Sequence, residues 1–123
     1  MPLSNFSNKS KYFDENLFDN LGYIDPNLFI KETDEIDKSM DIYSLGSLLW
    51  EIMSERVPYL EDKKDGILQL VNKIINNDYR EKDIDDVPSK YMDLYKRCWN
   101  RNSLERPPIN DVYHSLLNIK KGM

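Results

Sequence analysis

Apolar side chains recur at helical spacing along most of the chain after residue 60, in three separate segments. Each segment places apolar residues at positions i, i+3, i+4 and i+7, which puts them on one face of a helix. The three sets are Ile67, Leu70, Val71, Ile74 and Ile75; Tyr91, Leu94, Tyr95, Cys98 and Trp99; and Ile109, Val112, Tyr113, Leu116 and Leu117. Pro88 and the pair Pro107-Pro108 open the second and third helices, because proline suits a first helical turn. No stretch alternates as a strand does, so the pattern predicts an all-α fold.

The segment between Ser39 and Glu55 has apolar residues on a much wider face. Counted at 100° per residue, they sweep an arc of roughly 220°, against the ~100° stripe of an ordinary surface helix. These residues are Tyr43, Leu45, Leu48, Leu49, Trp50, Ile52 and Met53. Ser39 offers a hydroxyl to cap the helix, and Pro58 stops it. The pattern predicts a long, buried central helix that three to four packed helices cover from more than one side.

The first part of the chain is polar and has no sustained period. Residues 1–20 are rich in Ser, Asn and Lys, which predicts a mobile arm. Regular structure is expected to begin at Asp25-Pro26, where a capping acid precedes a proline, and this short helix should end by about Glu32. An acidic linker then leads to Ser39. The length of 123 residues predicts one domain, residues 21–123, behind the arm.

The chain carries 17 Lys and Arg against 22 Asp and Glu, a net charge of −5. This balance argues against nucleic-acid binding, which needs clustered basic residues to meet phosphates. The excess acid lies in residues 1–60, with 5 basic and 11 acidic residues, and fits either a solvated surface or a preference for basic partners. No apolar segment reaches the roughly 20 residues of a membrane span, and the start lacks a signal-peptide pattern. We therefore expect a cytoplasmic protein without membrane attachment.

Few residues are candidates for chemistry. Cys98 is the single cysteine, which excludes an internal disulfide, and beside Trp99 on an apolar face it is expected to be a buried hydrophobe. His114 lies on the polar side of the last helix and is expected at the surface. These two residues offer no clustered metal ligands, and the four glycines lie too far apart to cradle a phosphate. The spacing thus indicates no catalytic, cofactor or metal site.

Three segments, in their order and spacing, resemble the C-terminal lobe of eukaryotic protein kinases. The Tyr-x-Ala-Pro-Glu sequence that closes the family's activation segment is similar to Tyr23-Ile24-Asp25-Pro26-Asn27. The family's Ser-Asp-Val-Tyr-Ser-Phe-Gly-x-x-Leu-Trp-Glu-Ile core helix resembles the segment from Lys38 to Ile52, with Pro58-Tyr59 after it. The Cys-Trp and Arg-Pro signature of tyrosine and tyrosine-kinase-like kinases resembles Cys98-Trp99 and Arg106-Pro107. The resemblance covers residues 20–119 and implies a helical kinase lobe around a buried central helix.

The resemblance implies roles for individual residues. In kinases, the residue that matches Asp41 accepts hydrogen bonds from the backbone of the catalytic loop. The alternative interpretation is that Asp41 is only an acidic residue in the first turn of a helix, where the helix dipole stabilises it. The kinase Arg matching Arg106 pairs with the motif's Glu. That Glu is Asn27 here, so we expect a hydrogen bond from Arg106 to the amide oxygen, while Asp25 replaces the motif's Ala. The resemblance implies structural roles for Pro26, Trp50 and Trp99. It implies that Leu21, Gly22 and Tyr23 lie in a loop that faces the substrate.

The matched segments leave out the residues of the kinase reaction. Phosphoryl transfer in this family needs a Gly-rich loop, a Lys on a strand, a catalytic-loop Asp and Asn, and the Asp of Asp-Phe-Gly that holds magnesium. The sequence contains neither His-Arg-Asp nor Asp-Phe-Gly. We therefore expect the N-terminal part of the kinase domain to be missing, and ATP and Mg²⁺ to belong to the full-length family.

The arm has two interpretations. Leu3-Ser4 resembles residues that often follow Asp-Phe-Gly, which makes residues 4–20 an activation loop. In the other interpretation they are a disordered tail with ordinary serines. The activation loop would offer phosphorylation sites at Ser4, Ser7, Ser10 and Tyr12.

Three hypotheses for the function follow. The chain is a piece of a kinase that phosphorylates protein Ser, Thr or Tyr and is inactive alone, with protein substrates or other proteins as partners. Alternatively, it is a non-catalytic helical module that binds proteins through the surface around Ile67 to Asp78, or an unrelated helical scaffold.

The sequence also bears on stability. The downstream helices cannot cover the whole apolar arc, so part of the Tyr43, Leu48, Trp50 and Ile52 surface should stay exposed and cause self-association. We expect Arg106 to be buried and Arg80 to be an ordinary surface residue.

Overall fold

The computed structural model describes residues 20–30 and 37–122, and the interpretations of residues 1–19 lie outside these ranges. The described residues form five α-helices: α1 (Asn27–Ile30), α2 (Lys38–Ser54), α3 (Ile67–Asn76), α4 (Ser89–Cys98) and α5 (Ile109–Lys121). Short 3₁₀ helices span Leu21–Tyr23, Asp62–Asp65 and Ser103–Glu105, and this part of the chain contains no strand. The all-α prediction is confirmed, with α2 as the long central helix.

The ends of α2 differ slightly from the predicted ones. The cap is Asp37, whose carboxylate accepts from the Met40 amide at 3.1 Å. Ser39 was expected to cap the helix, and that expectation is wrong, because its hydroxyl donates to the Asp37 carboxylate at 2.5 Å. At the other end, Glu55 takes a left-handed conformation with φ 57°, and its amide bonds the Glu51 carbonyl. Pro58 follows closely, as expected for a helix stop.

The main hydrophobic core lies between α2 and α4. Gly46 allows the two helices to approach, because a Cβ at this position would lie 2.7 Å from the Cys98 Cβ and 3.0 Å from the Tyr95 carbonyl oxygen. Leu94, Tyr95 and Cys98 are fully buried against α2. The buried members of this core are Ile42, Tyr43, Leu49, Trp50, Tyr91, Leu94, Tyr95, Cys98, Trp99 and Val112.

A second, smaller core forms beneath α3. The predicted apolar face of α3 is confirmed, since Leu70, Val71 and Ile74 are buried, and they pack with Leu21 and Tyr59. The predicted face of α5 holds only in part: Val112 is buried, whereas Ile109 and Tyr113 are each 59% exposed. As the last helix, α5 packs on α4 along one narrow side, so only part of its apolar stripe is covered.

The wide apolar arc of α2 is divided between a covered face and an open face. Tyr43 and Trp50, which are 1% and 3% exposed, lie on the covered face. Leu48 and Ile52, at 47% and 65% exposed, are uncovered as expected. We call Asp41, Leu48 and Ile52 the open face, because all three are exposed and follow one another at helical spacing.

Candidate functional site

Residues 21–26 begin with the 3₁₀ helix Leu21–Tyr23 and lie across α2; we call this segment the anchor loop. The Ser44 hydroxyl donates to the Tyr23 carbonyl at 2.5 Å, and the Ser47 hydroxyl donates to the Gly22 carbonyl. The Tyr23 hydroxyl donates in turn to the Glu51 carboxylate. Positions 44, 47 and 51 lie on one side of a helix, so a single polar stripe of α2 holds the loop.

Close packing fixes the position of Gly22 as well. A Cβ on Gly22 would lie 2.3 Å from the Cβ of Pro58, which is closer than any two such atoms can approach. The Trp99 indole N–H donates to the Ser47 hydroxyl oxygen at 2.9 Å, and that hydroxyl donates to Gly22. A buried chain of hydrogen bonds therefore joins the end of α4 to the anchor loop.

The Asp25 carboxylate does two things at the end of the loop. One oxygen accepts from the Asn27 amide at 3.0 Å, which caps α1 as the sequence predicts. The same carboxylate accepts two hydrogen bonds from Arg106, at 2.5 Å from Nη1 and 3.0 Å from Nη2. Both side chains are 1% exposed. This is a buried, bidentate ion pair, a geometry that the planar guanidinium favours.

The ion pair corrects the expected role of Asn27. Arg106 was expected to bond the Asn27 amide oxygen, but its guanidinium bonds Asp25, and the Asn27 amide nitrogen donates to the Arg101 carbonyl at 3.2 Å. A carboxylate that accepts two hydrogen bonds binds a guanidinium more strongly than a neutral amide does. The signal was present in the sequence, since the motif lacks its Glu at Asn27 but has an extra acid two residues earlier.

Arg106 uses its other donors to join two further segments. Its Nη1 also donates to the Ser39 carbonyl at 2.9 Å, and its Nε donates to the Asn100 carbonyl at 2.8 Å. The anchor loop, the first turn of α2 and the connection after α4 therefore meet at one buried guanidinium.

Arg80 is not the surface residue that we expected. Its side chain is 13% exposed, and its Nη1 donates to the Tyr79 carbonyl at 2.8 Å. Its guanidinium lies 5.5 Å from the centre of the Tyr43 ring, where Arg106 also lies, at 5.1 Å. The segment after α3 folds back on α2, and this long-range packing buries the side chain.

Burial dominates the ionisation of the groups near this site. Burial raises the pKa of Tyr43 to about 12, although the nearby Arg80 and Arg106 act to lower it. Burial likewise raises the pKa of the Cys98 thiol to about 11, which keeps the thiol protonated at neutral pH. Cys98 is fully buried, so its interpretation as a small core hydrophobe is confirmed, and His114 is exposed as expected.

The remaining matched residues are divided between core and surface. Trp50 and Trp99 are core residues, and the Trp50 indole N–H donates to the Lys82 carbonyl at 2.9 Å. Of the three expected substrate-facing residues, Leu21 and Gly22 are buried and Tyr23 is half-buried. Asp41 is exposed at the edge of a groove of about 520 Å³ between α2 and the start of α5. Its expected role toward a catalytic loop stays a prediction.

No helix in the described part of the chain is long and apolar enough to cross a membrane. Within residues 20–30 and 37–122, no group of three or more His, Cys, Asp or Glu side chains could hold a metal ion.

Comparison with known proteins identifies the family. The family model "Protein tyrosine and serine/threonine kinase" matches residues 7–116. A LIM domain-containing protein named a probable serine/threonine-protein kinase, from Dictyostelium discoideum, is 32% identical over 107 residues, which are 85% of this chain and 16% of that protein. The chain belongs to the protein kinase family, and its helical architecture is that of the C-terminal lobe.

Two other relatives from Dictyostelium discoideum agree. "Probable serine/threonine-protein kinase pats1" is 27% identical over 94 residues, 76% of this chain and 3% of that protein. "Probable serine/threonine-protein kinase gdt2" is 33% identical over 89 residues, 68% of this chain and 5% of that protein. The chain thus spans 16% or less of the length of these three relatives. The expectation of a tyrosine-kinase or tyrosine-kinase-like group stays a prediction.

Proposed function

We propose that the chain is the substrate-side lobe of a kinase that transfers phosphate from ATP to serine or threonine side chains of proteins. The family match and the names of the three relatives support this proposal. The Cys98-Trp99 and Arg106-Pro107 pairs favour the tyrosine-kinase-like group, and we expect the protein to act in the cytoplasm.

The observation that carries the proposal is the attachment of the anchor loop to α2. Asp25 and Arg106 form a buried bidentate pair, and the same loop is bonded through Gly22 and Tyr23 to side chains of α2. A loop held at so many points presents its outer surface in one conformation, which lowers the entropy cost of binding a partner. Tyr23 and Ile24 are the half-buried members of the loop, and Tyr23, with its polar hydroxyl, is the better candidate to contact a protein substrate.

The chain by itself is proposed to be inactive. The sequence contains neither the His-Arg-Asp nor the Asp-Phe-Gly motif that the family uses to position the attacking hydroxyl and magnesium. The described residues also offer no cluster of carboxylates for a metal ion. ATP and Mg²⁺ would therefore be held by another part of the kinase domain, and this chain would supply the platform for the protein substrate.

Two experiments on the full chain test whether it is inactive. Calorimetric titration with Mg-ATP measures nucleotide binding, and a radiolabel transfer assay on a generic protein substrate measures phosphate transfer. We expect no saturable heat and no transferred label, because the groups that would hold the nucleotide are absent. Saturable binding at micromolar ATP would contradict the proposal and would require a nucleotide site among these residues.

Reading the genomic DNA upstream of Met1 tests membership of a complete kinase domain. An in-frame segment that encodes His-Arg-Asp and Asp-Phe-Gly is the expected result. Stop codons and a promoter immediately upstream would contradict it.

The open face of α2 favours a second candidate function, a non-catalytic module that binds other proteins. Leu48 and Ile52 are 47% and 65% exposed, and Leu68 on α3 is 70% exposed. In the kinase proposal, the open face is covered by the rest of the domain. In the module proposal, these surfaces bind a separate protein. A monodisperse monomer that melts cooperatively would favour the module, because the chain would then be stable without the rest of a kinase domain.

A further inference from the structure

Two arginines from distant parts of the chain share one buried aromatic ring. The guanidinium carbon of Arg80 lies 5.5 Å from the centre of the Tyr43 ring, and that of Arg106 lies 5.1 Å from it. Tyr43 is 1% exposed, so both contacts are shielded from water. At such distances a guanidinium is attracted to an aromatic ring, and the attraction is greatest where water is excluded.

Each arginine is held by its own carboxylate and its own segment. Arg80 belongs to the connection after α3: its Nη2 pairs with Asp78 at 3.1 Å, and its Nη1 donates to the Ile74 and Tyr79 carbonyls at 3.2 and 2.8 Å. Asp78 has a positive φ of 52°, which a non-glycine residue adopts at a cost, and the contacts of Arg80 with Asp78, Ile74 and Tyr79 brace this turn.

Arg106 is held by a different segment, the anchor loop. It donates twice to Asp25 and once to the Ser39 carbonyl, so any displacement of the guanidinium displaces the loop. The two guanidiniums lie against the same buried ring and line one small cavity, so the space and the charge around Arg106 depend in part on Arg80. The position of Arg106 therefore depends on the charge and position of Arg80.

We propose that Arg80 is a positioning residue for the anchor loop, and that it acts through the Tyr43 ring and Arg106. The connection after α3 and the anchor loop then behave as one coupled unit. Contact of a partner with α3 would be transmitted to residues 21–26. The consequence for substrate binding rests on the proposed function of the loop, whereas the coupling itself does not.

The two tryptophans of the chain are natural reporters for the two ends of this link. The Trp50 indole N–H donates to the Lys82 carbonyl, two residues beyond Arg80. The Trp99 indole N–H donates to the Ser47 hydroxyl, which donates to the Gly22 carbonyl in the anchor loop. A ¹⁵N-tryptophan spectrum of the full chain therefore contains one indole signal for each end.

The test compares Arg80→Gln with the matched control Lys73→Gln. Gln keeps hydrogen-bonding capacity at position 80 but removes the charge. Lys73 makes the same kind of contact with a different ring, its ammonium lying 5.6 Å from the centre of Tyr79. We expect Arg80→Gln to shift both indole signals and Lys73→Gln to leave the Trp99 signal in place. Arg80→Lys, which retains the charge, should shift the Trp99 signal less than Arg80→Gln. A shift of Trp50 alone in Arg80→Gln would overturn the proposal.

The reverse experiment covers the case in which Arg80→Gln does not fold. Thermodynamic coupling is reciprocal, so Asp25→Asn in the anchor loop should shift the Trp50 signal at the other end. The exposed Asp93 provides a matched control, Asp93→Asn, that should leave the Trp50 signal unchanged. An unmoved Trp50 signal in folded Asp25→Asn would overturn the proposal. Neither measurement depends on ATP or phosphate transfer, so failure of the coupling and failure of the proposed function are distinguishable.

Discussion

The two faces of α2 have similar side chains and opposite environments. Leu48 and Leu49 are neighbours in the sequence, but Leu48 is 47% exposed and Leu49 is 6% exposed. Trp50 is 3% exposed, whereas Ile52 is 65% exposed. Hydrophobicity is therefore not what separates the faces. The covered face is covered because α4, the anchor loop and the segment after α3 fold against it.

The covered face also carries most of the polar attachments of the site. The Ser47 hydroxyl donates a hydrogen bond to the anchor loop, the Glu51 carboxylate accepts one from it, and Ser47 is fully buried. The Tyr91 hydroxyl donates to the Leu49 carbonyl from α4. The open face makes no comparable bond among the described residues. The covered face therefore differs from the open face in its specific polar contacts as well as in apolar burial.

Removing Arg106 should cause the largest loss at the covered face. Arg106→Ala leaves the Asp25 carboxylate buried without its partner, so we expect it to lower the free energy of unfolding by ~3–5 kcal/mol. Arg97→Ala, at an exposed position of α4, is the control and should change it by ~0.5 kcal/mol or less. Urea denaturation of both variants measures the difference. Equal midpoints would show that the ion pair does not stabilise the fold.

Truncating the adjacent leucines isolates the difference between the faces. Leu49→Ala should lower the free energy of unfolding by ~2–5 kcal/mol, because it leaves a cavity in the main core. Leu48→Ala should lower it by about 1 kcal/mol or less, because the side chain is already half in water. Thermal and urea unfolding of the two variants provide the comparison. Similar losses would mean that the open face is covered in solution, for example by self-association.

The buried tyrosines of the main core, one on α2 and two on α4, should make the fold sensitive to alkali. Burial raises the pKa of Tyr43, Tyr91 and Tyr95 to about 12 in the folded chain, from an ordinary value of 10.0. Between these values the folded chain keeps protons that the unfolded chain releases, so stability falls as pH rises from 10.0 to about 12. Below this window the contribution of the tyrosines is fully present.

Unfolding curves at neutral pH and at steps through the alkaline range measure this effect. Tyr95→Phe should reduce the alkaline loss, because Phe has no proton to release, whereas Tyr113→Phe at a position that is 59% exposed should not. A fall in stability that is the same in both variants would assign the effect to other groups.

A charge on the open face should have the smallest effect on stability and a clear effect on association. Ile52→Lys is expected to change the free energy of unfolding by ~0.5 kcal/mol or less, because the side chain is 65% exposed. It should reduce dye binding and self-association, measured by fluorescence and by size-exclusion chromatography with light scattering. Leu68→Lys, on the exposed side of α3, is the control. If both variants reduce association equally, the open face has no special role.

The sequence alone predicts the helices and the family well, for a local reason. The periodicity of α3 and α4 and the prolines before α4 and α5 lie within single segments, so neighbouring residues suffice to predict the elements. The cap on α1 is equally local, since Asp25 and the amide it accepts from are two residues apart. The kinase resemblance rests on three such segments in order, and the family comparison confirms it.

Only the tertiary structure decided which partners the polar residues have. Asp25 and Arg106 are far apart in the sequence, and only the fold brings them together. The motif comparison predicted Asn27 as the partner of Arg106, because it aligns residues by position. It does not show which carboxylate reaches the guanidinium. Arg80 has the sequence context of a surface residue, yet the turn after α3 brings it to Tyr43. The division of α2 into covered and open faces has the same origin. Burial depends on which distant segments pack on a helix, and helical periodicity does not contain that information.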